Sequence, residues 1–314
     1  DKHDLWQDTM LVVNTDHGFL MGEHDWWAKV VTPFFQEVAH IPFWIYDPRH
    51  SDCVGETRDS VVQTIDLAPT ILDYFDIPAT RDMQGKSLTG AMLNDEPVRE
   101  AALYGVMGGQ VNVTDGQYVY MRGNATEDNS PLFEYTLMPT HMNSLFSVRE
   151  LSSWEKFEDF SFTKACPVMQ IPSRTPRFLL AQDNPYGKGR TATLLFDVQA
   201  DPGQTNPLTD AGLEIRMIKL MLHEMARNEC PPEQYVRLGL PEPFRADAGD
   251  LDGVIELPSE ERIEAACVLQ TQRGREIAEH GGNGLPKMPF GDISFPDNLR
   301  LRPGYVFSQT SDKG

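Results

Sequence analysis

Short apolar runs alternate with polar stretches through the first hundred residues. Residues 9–13 are apolar and partly β-branched, which is typical of a strand buried on both faces, as in a parallel sheet. A second apolar run at residues 41–46 predicts another core strand. Residues 66–75 place apolar side chains on one side of a predicted helix. Together these elements predict an α/β core.

The pattern changes near residue 101. The segments ALYGVMGG, VNVT and QYVYMRG are short and divided by glycine and Asp-Gly turns, which predicts a hairpin in a small antiparallel sheet. FEYTLMP and TATLLFDV predict further strands. Residues 213–229 carry apolar side chains at positions 218, 221, 222 and 225, which is the spacing of an amphipathic helix that packs on this sheet.

These changes divide the chain into three predicted parts. Residues 1–98 form the α/β core, residues 99–230 form the smaller antiparallel sheet with its helix, and residues 231–314 form a C-terminal extension. Within the extension, residues 259–279 predict a second helix. A segment rich in glycine and proline follows it, and we expect this segment to lie across the body or across a neighbouring subunit.

Composition narrows the classes of function. The formal charge is −20, from 27 basic and 47 acidic residues, and no basic cluster is present, which argues against a nucleic-acid binder. No apolar run approaches the length of a membrane span, so we expect no membrane partner. The 4 cysteines are scattered without zinc-site spacing and predict no disulfide framework. Nothing in the sequence identifies a cellular location.

The segment NTDHGFLMGEHDWWAK, residues 14–29, concentrates ionisable side chains directly after the first strand. In open α/β sheets, ligands bind at the carboxyl ends of strands. The adjacent pair Asp16 and His17 offers a carboxylate oxygen and an imidazole nitrogen, both ordinary ligands of divalent metals. The alternative is a loop with a capping aspartate and a solvated histidine, and the pair alone favours that alternative.

The wider stretch resembles the sulfatase family of the alkaline-phosphatase superfamily. The resemblance rests on TDHGFLMGEHDWWAK with PFFQEVAHIPFWIYDP, on VVQTIDLAPTILDYFDIPATRDMQGKSL, on DGQYVYMR and on LLFDVQADPGQTNPL, in that order. These motifs fall within residues 8–225. The resemblance implies part of a sulfatase-like α/β sheet with helices, plus a smaller C-terminal antiparallel sheet.

The family assigns roles to matching residues. Asp16 and His17 would bind one divalent cation, which is calcium in most sulfatases, while Asp-His also occurs in relatives that use manganese or zinc. Lys29 would contact the sulfate or phosphate group as a catalytic and substrate-binding residue. His24, in GEH, is a second catalytic candidate, with a structural or supporting role as the alternative.

The family's nucleophile is missing from this chain. In sulfatases it is a cysteine in the pattern C-x-P-S-R, converted to formylglycine, and it precedes the Asp-His pair. The segment CPVMQIPSR does not match, because Gln170 stands two residues before Pro172. We therefore expect the C-terminal part of a sulfatase that is inactive alone. An N-terminal portion carrying the formylglycine would be its partner, with self-association as the alternative.

Residues 139–175 lie between strands of the smaller sheet and are rich in aromatic side chains. One interpretation is that they line the substrate entrance, which makes His141 a substrate-binding candidate. The other is a surface excursion packed by its own aromatic rings.

Three functions compete at this point. The first is metal-dependent hydrolysis of sulfate esters, with a small sulfate ester or a sulfated sugar as substrate. The second is hydrolysis of phosphonate monoesters or phosphodiesters by the same superfamily. The third is a non-enzymatic metal-binding or structural domain. The missing nucleophile region would discriminate between the first two, and an intact N-terminal half in the full-length gene would argue against the third.

Overall fold

The computed structural model describes residues 2–25, 27–29, 33–141, 144–158, 160–173, 191–246 and 253–272. The helices are α1 (Gln36–Ala39), α2 (Leu67–Tyr74), α3 (Thr89–Asn94), α4 (Val148–Leu151), α5 (Ala211–Arg227), α6 (Pro232–Leu238) and α7 (Glu260–Glu264). The strands are β1 (Leu11–Asn14), β2 (Leu20–Met21), β3 (Trp27–Ala28), β4 (Phe43–Tyr46), β5 (Ala102–Gly105), β6 (Val111–Thr114), β7 (Tyr118–Arg122), β8 (Phe133–Thr136), β9 (Glu155–Phe157), β10 (Val168–Pro172), β11 (Leu194–Asp197), β12 (Phe244–Arg245) and β13 (Ile255–Glu256). The described chain therefore mixes short helices with antiparallel sheets.

Strands β1 and β4 pair with each other in a two-stranded antiparallel sheet, with Leu11 opposite Tyr46 and Asn14 opposite Phe43. Both strands lie where the sequence predicts them. The prediction that the first is buried on both faces of a parallel sheet is wrong, since Val13 is 45% exposed and Trp44 on β4 is 61% exposed. Within the described residues, β1 pairs only with β4, so its apolar side chains remain largely exposed.

The smaller antiparallel sheet predicted after residue 101 is confirmed. Its strand order is β11-β7-β6-β5, with every neighbouring pair antiparallel. Because side chains alternate across a strand, Tyr120 faces one side and its neighbours Val119 and Met121 face the other. The first side packs against the apolar face of α5, and the second covers Phe35, just before α1.

Helix α5 confirms the amphipathic helix predicted at residues 213–229 and organises the larger core. Its buried side chains contact the sheet, α6 and the segment that contains α7. Glu214 on α5 is fully buried and accepts hydrogen bonds from the Tyr120 hydroxyl at 3.0 Å and from the amides of Val268 and Leu269 at 3.0 and 3.2 Å. The described part of the C-terminal extension is thereby joined to this core.

The helix predicted at residues 66–75 is confirmed as α2, whereas that at 259–279 is interrupted. Helix α7 spans only Glu260–Glu264, a turn and two residues without regular structure follow, and helical structure resumes at residues 269–272. The rest of the predicted helix and the glycine- and proline-rich segment lie outside the described residues.

Strand β8 and the stretch at residues 139–175 together form a third sheet, in the order β8-β10-β9. Its aromatic side chains pack on one another: Tyr135 meets Phe157 and Phe160 with ring centroids 4.9 and 5.5 Å apart, and Phe160 stacks on Phe162 at 5.1 Å. This agrees with a segment packed by its own aromatic rings.

In the described ranges, no helix combines the length and the apolar character that crossing a membrane requires.

Candidate active site

The structure brings Asp16, His17 and Lys29 together at the end of β1. The ammonium nitrogen of Lys29 lies 3.0 Å from Nε2 of His17, and a carboxylate oxygen of Asp16 lies 3.3 Å from the same atom. Nδ1 of His17 is 2.9 Å from the carbonyl oxygen of Gly18, an acceptor only, so Nδ1 carries the proton. This leaves the lone pair of Nε2 directed at the ammonium group.

Asp16 is held ionised by its surroundings although its side chain is 82% exposed. Loss of water around the carboxylate raises its pKa. The charge that the His17 ring carries when it is protonated, and hydrogen bonds from the His17 amide at 3.0 Å and the Thr15 hydroxyl at 3.3 Å, outweigh that effect and lower the pKa below its ordinary value. The cluster therefore contains one carboxylate, one imidazole lone pair and one ammonium.

Helix α1 fixes the loop that carries Asp16 and His17. The amide of Gly18 donates to the carbonyl of Val38 at 2.9 Å. A Cβ atom at position 18 would lie only 1.8 Å from the carbonyl oxygen of Glu37, so only glycine allows this close approach of the two backbones. The amide of Gln36 in turn donates to the side chain of Gln204 at 2.7 Å, which ties α1 to the turn after β11.

His24 packs against the same helix. Its backbone is left-handed, with φ of 54°, and its ring stacks on Phe35 with centroids 3.5 Å apart. Nε2 of His24 lies 3.7 Å from Oε2 of Glu37, too far for a hydrogen bond, and both atoms are buried without a hydrogen-bond partner in the described part of the chain. His24 thus connects the loop of Lys29 to α1.

His141 lies elsewhere, beside β8. Its Nε2 is 2.7 Å from Oε1 of Glu150, its Nδ1 is 3.5 Å from Oε2 of Glu134, and its ring meets Phe146 edge-on. Hydrogen bonds from the Ser147 hydroxyl and amide, followed by the bond from His141, lower the pKa of Glu150 to about 2. His141 is therefore held between two carboxylates.

Part of this chain, including some of the residues described above, is similar in sequence to a known protein family. Residues 22–153 match the family model described as N-sulphoglucosamine sulphohydrolase, C-terminal. Over these residues the chain is similar to the C-terminal part of sulfatases. The matched range contains His24, Lys29 and His141, while Asp16 and His17 precede it.

The individual proteins that are similar in sequence include sulfatases. An ulvan-active sulfatase of Formosa agariphila is 26% identical over 220 residues, which cover 65% of this chain and 42% of the relative. An N-acetylglucosamine-6-O-sulfatase of Bacteroides thetaiotaomicron is 32% identical over 101 residues, covering 31% of this chain and 18% of the relative. The chain thus spans less than half the length of these sulfatases.

Among solved structures, one determined in complex with its substrate D-glucosamine-2-N,6-O-disulfate is similar to this chain. The sequence identity is 16%, the TM-score is 0.46, and the similarity covers 74% of this chain and 37% of that protein.

The donor chemistry of Asp16 and His17 fits part of a metal site. A carboxylate oxygen and a free imidazole lone pair lie 3.3 Å apart and can face the same ion. However, no group of three or more histidine, cysteine, aspartate or glutamate side chains is arranged for a metal within the described ranges. Calcium takes six to eight oxygen ligands, so this pair can supply only part of a calcium shell.

Sequence reasoning missed the residues that position the cluster. The sequence motif gives no role to Phe35, Glu37 or Gly18. In the structure, these residues hold two loops against α1, the loop of Asp16 and His17 and the loop of His24 and Lys29. In the sequence, the segment PFFQEVAH contributes only to the family resemblance. Its role depends on contacts between segments about twenty residues apart, which spacing alone does not reveal.

Proposed function

We propose that this chain is the C-terminal part of a metal-dependent sulfatase that hydrolyses the sulfate ester of a small molecule or a sulfated sugar. The observation that carries the proposal is the meeting of Lys29, His17 and Asp16 within 3.0 and 3.3 Å, in a chain related to sulfatases. The names of the relatives, an ulvan-active sulfatase and an N-acetylglucosamine-6-O-sulfatase, favour a sulfated sugar.

The three side chains suit the charge changes of sulfate ester hydrolysis. Lys29 supplies a compact positive charge that attracts the sulfate group and stabilises its oxygens in the transition state. Asp16 and His17 would hold a divalent cation, either calcium or, given the imidazole, manganese or zinc. Such a cation polarises ester oxygens and lowers the pKa of a bound nucleophile.

The nucleophile would come from a different part of the protein. No C-x-P-S-R segment occurs in the 314 residues, so the formylglycine of the family would lie in an N-terminal portion. The exposed apolar side chains of β1 and β4 support such a partner, because Leu11, Val13 and Trp44 are 44%, 45% and 61% exposed. The alternative is that self-association through β1 and β4 buries these side chains.

The test compares the isolated chain with the longer protein that joins it to a formylglycine-bearing N-terminal portion. Both are assayed with an aryl sulfate, a sulfated monosaccharide, a phosphonate monoester and a phosphodiester. We expect turnover of the sulfate esters by the longer protein alone. Preference for the phosphorus esters would assign the chain to another branch of the superfamily, and robust turnover by the isolated chain would refute the need for a separate nucleophile.

A further inference from the structure

A groove of about 760 Å³ lies between the β5–β6 hairpin, strand β8 and the start of α6. Such a volume suits a small organic ligand, for which pockets typically measure about 300–1,000 Å³. Its walls combine aromatic rings and polar side chains, including Tyr104, Tyr135, Phe146, Gln110, Gln234 and Arg237. Aromatic rings offer flat apolar faces, and amide and guanidinium groups offer directed hydrogen bonds, so the groove can hold a ligand with both apolar faces and polar edges.

Arg237 places a positive charge in the wall of this groove. The residue is only 2% exposed. Its guanidinium donates to the Gly109 carbonyl at 3.1 Å, to Oδ1 of Asn129 at 3.0 Å and to Oε1 of Gln234 at 2.8 Å. All three acceptors are neutral. Burial lowers the pKa of Arg237 to about 10, so the group remains charged at neutral pH.

The charge of Arg237 lacks a counter-ion among the residues that the structure describes. No carboxylate of the described residues lies within ion-pair distance of it. Burying an unpaired charge is costly, and breaking the pairing of a buried ion is among the more destabilising changes known. A guanidinium kept in this condition at a groove wall is therefore suited to an anionic ligand, since its Nη2 makes no hydrogen bond to the described residues and can donate to a carboxylate or a sulfate oxygen.

The other charged groups in the groove are already engaged. Glu134 accepts a hydrogen bond from the Ser173 hydroxyl at 2.9 Å and lies 3.5 Å from His141. His141 is also bonded to Glu150 at 2.7 Å. A second polar atom lacks a partner: Oε1 of Gln110, a residue only 1% exposed, has no hydrogen bond within the described part of the chain. Two residues of the groove lining thus carry groups that lack a partner among the described residues, namely the charge of Arg237 and Oε1 of Gln110.

We propose that this groove binds a sugar unit that carries a carboxylate or a sulfate, with the anionic group on Arg237 and the sugar faces against the aromatic rings. The inference rests on the proposed function, because it makes the groove a subsite for an acidic sugar of the same substrate. A physical connection supports this assignment. Tyr104 lines the groove and packs against the cluster that contains Phe35, the residue on which His24 stacks.

The test is a calorimetric titration of the 314-residue chain with three probes: a uronate-containing disaccharide, its O-sulfated form, and cellobiose as the neutral control. We expect both acidic probes to bind and cellobiose to bind at least about tenfold more weakly, which is the scale of one charged hydrogen bond. Comparison of the two acidic probes shows whether the carboxylate alone suffices. Arg237→Gln should weaken the acidic probes at least about tenfold.

A second variant tests the groove independently in case Arg237→Gln does not fold. Met107 lines the groove and is 47% exposed, so Met107→Trp narrows the groove without entering the core. Met138→Trp is the matched control, because Met138 is 63% exposed and lies outside the groove lining. We expect binding to be lost in the first and kept in the second.

Lys29→Ala separates this inference from the proposed function. Unchanged affinity in Lys29→Ala, with loss in Met107→Trp, supports the groove even if the longer protein shows no sulfatase activity. Loss in Lys29→Ala with unchanged affinity in Met107→Trp places the anion at the loop of residues 14–29 and overturns the proposal. Equal affinity for cellobiose, or no binding of any probe, overturns it as well.

Discussion

The imidazole of His24 lies flat on the ring of Phe35, with centroids 3.5 Å apart and planes inclined by 10°. Phe35 also meets Phe196 of the four-stranded sheet, with centroids 6.3 Å apart. Because Phe35 immediately precedes α1, and the carbonyl of Val38 on α1 holds the amide of Gly18, one short helix supports both loops of the candidate site. The position of Lys29 relative to Asp16 therefore depends on α1 and its attachment to the sheet.

Replacing Phe35 should weaken both the fold and the site. Phe35 is 3% exposed, and truncating a buried phenylalanine to alanine typically costs about 3–5 kcal/mol. We expect the free energy of unfolding of Phe35→Ala to fall by that amount in urea titrations. Phe244→Ala is the control, because Phe244 is 63% exposed and its truncation should change stability by less than about 0.5 kcal/mol. Equal losses in the two variants would contradict the anchoring role.

Gly18→Ala tests the contact between α1 and the loop that carries Asp16 and His17. The added Cβ would approach the carbonyl oxygen of Glu37 to 1.8 Å, so the two backbones must separate. We expect a loss of about 1–3 kcal/mol in stability, typical of overpacking, and a displaced Asp16–His17 pair. Gly203→Ala is the matched control, since its Cβ would meet only the Thr205 methyl group at 3.8 Å. Unchanged unfolding of Gly18→Ala would disprove the close approach.

Lys29→Ala should affect turnover by the longer protein far more than its stability. Lys29 is exposed and its ammonium lies 3.0 Å from His17, so the side chain contributes little to packing. A charge directed at the transferring group acts most strongly in the transition state, and its removal should lower kcat by about 10²–10³-fold. The control is Lys156→Ala, at an exposed position on β9. Matching kcat values for both variants would mean that Lys29 is only a solvated surface residue.

The ion pair of Asp66 and Arg99 should make stability depend on pH. Burial raises the pKa of Asp66, but two bonds from Arg99 at 2.6 and 2.5 Å and the amides of Gln63 and Lys86 outweigh it and lower the pKa. A lowered folded-state pKa means that the stabilisation is present above the unfolded value, near about 3.9, and is lost as pH falls below it.

The measurement compares wild type with Asp66→Asn in urea at a series of pH values. At pH 7 we expect the variant to be less stable by about 3–5 kcal/mol, because Arg99 is left buried and unpaired. The difference should shrink as the pH is lowered through about 4. Glu155→Gln, at an exposed strand position, should show no comparable difference. A difference that stays constant between pH 7 and pH 3 would show that the charge of Asp66 is not responsible.

The sequence could predict which side chains meet but not how they are supported. Asp16, His17 and Lys29 share one short segment whose motif has a fixed spacing, so their meeting follows from local sequence. The support comes from Phe35 and Glu37, and a contact such as the one between Gly18 and Glu37 exists only once the chain has folded back. Hydrophobic periodicity carries no information on such close backbone approaches.

Burial was the other property that the sequence did not predict. The apolar run at β1 has the same appearance whether neighbouring strands cover it or not, so Val13 was expected inside and is 45% exposed. The sheet of β5, β6, β7 and β11 was predicted well, because its turns have glycine signals and its own chain supplies the covering helix α5. Strands β9 and β10 lack a clear alternation and were not predicted.

Metal binding should require more than this chain. Asp16 and His17 would supply two ligands, whereas calcium takes six to eight oxygens, so the 314-residue chain should bind a divalent ion weakly. The longer protein should hold one ion per chain, and Asp16→Ala should remove it. Elemental analysis of dialysed protein measures both, with Asp52→Ala, an exposed aspartate away from the cluster, as the control. Stoichiometric metal retained in Asp16→Ala would show that the ion is bound by other residues, because a site built on this carboxylate loses a charged ligand it cannot replace.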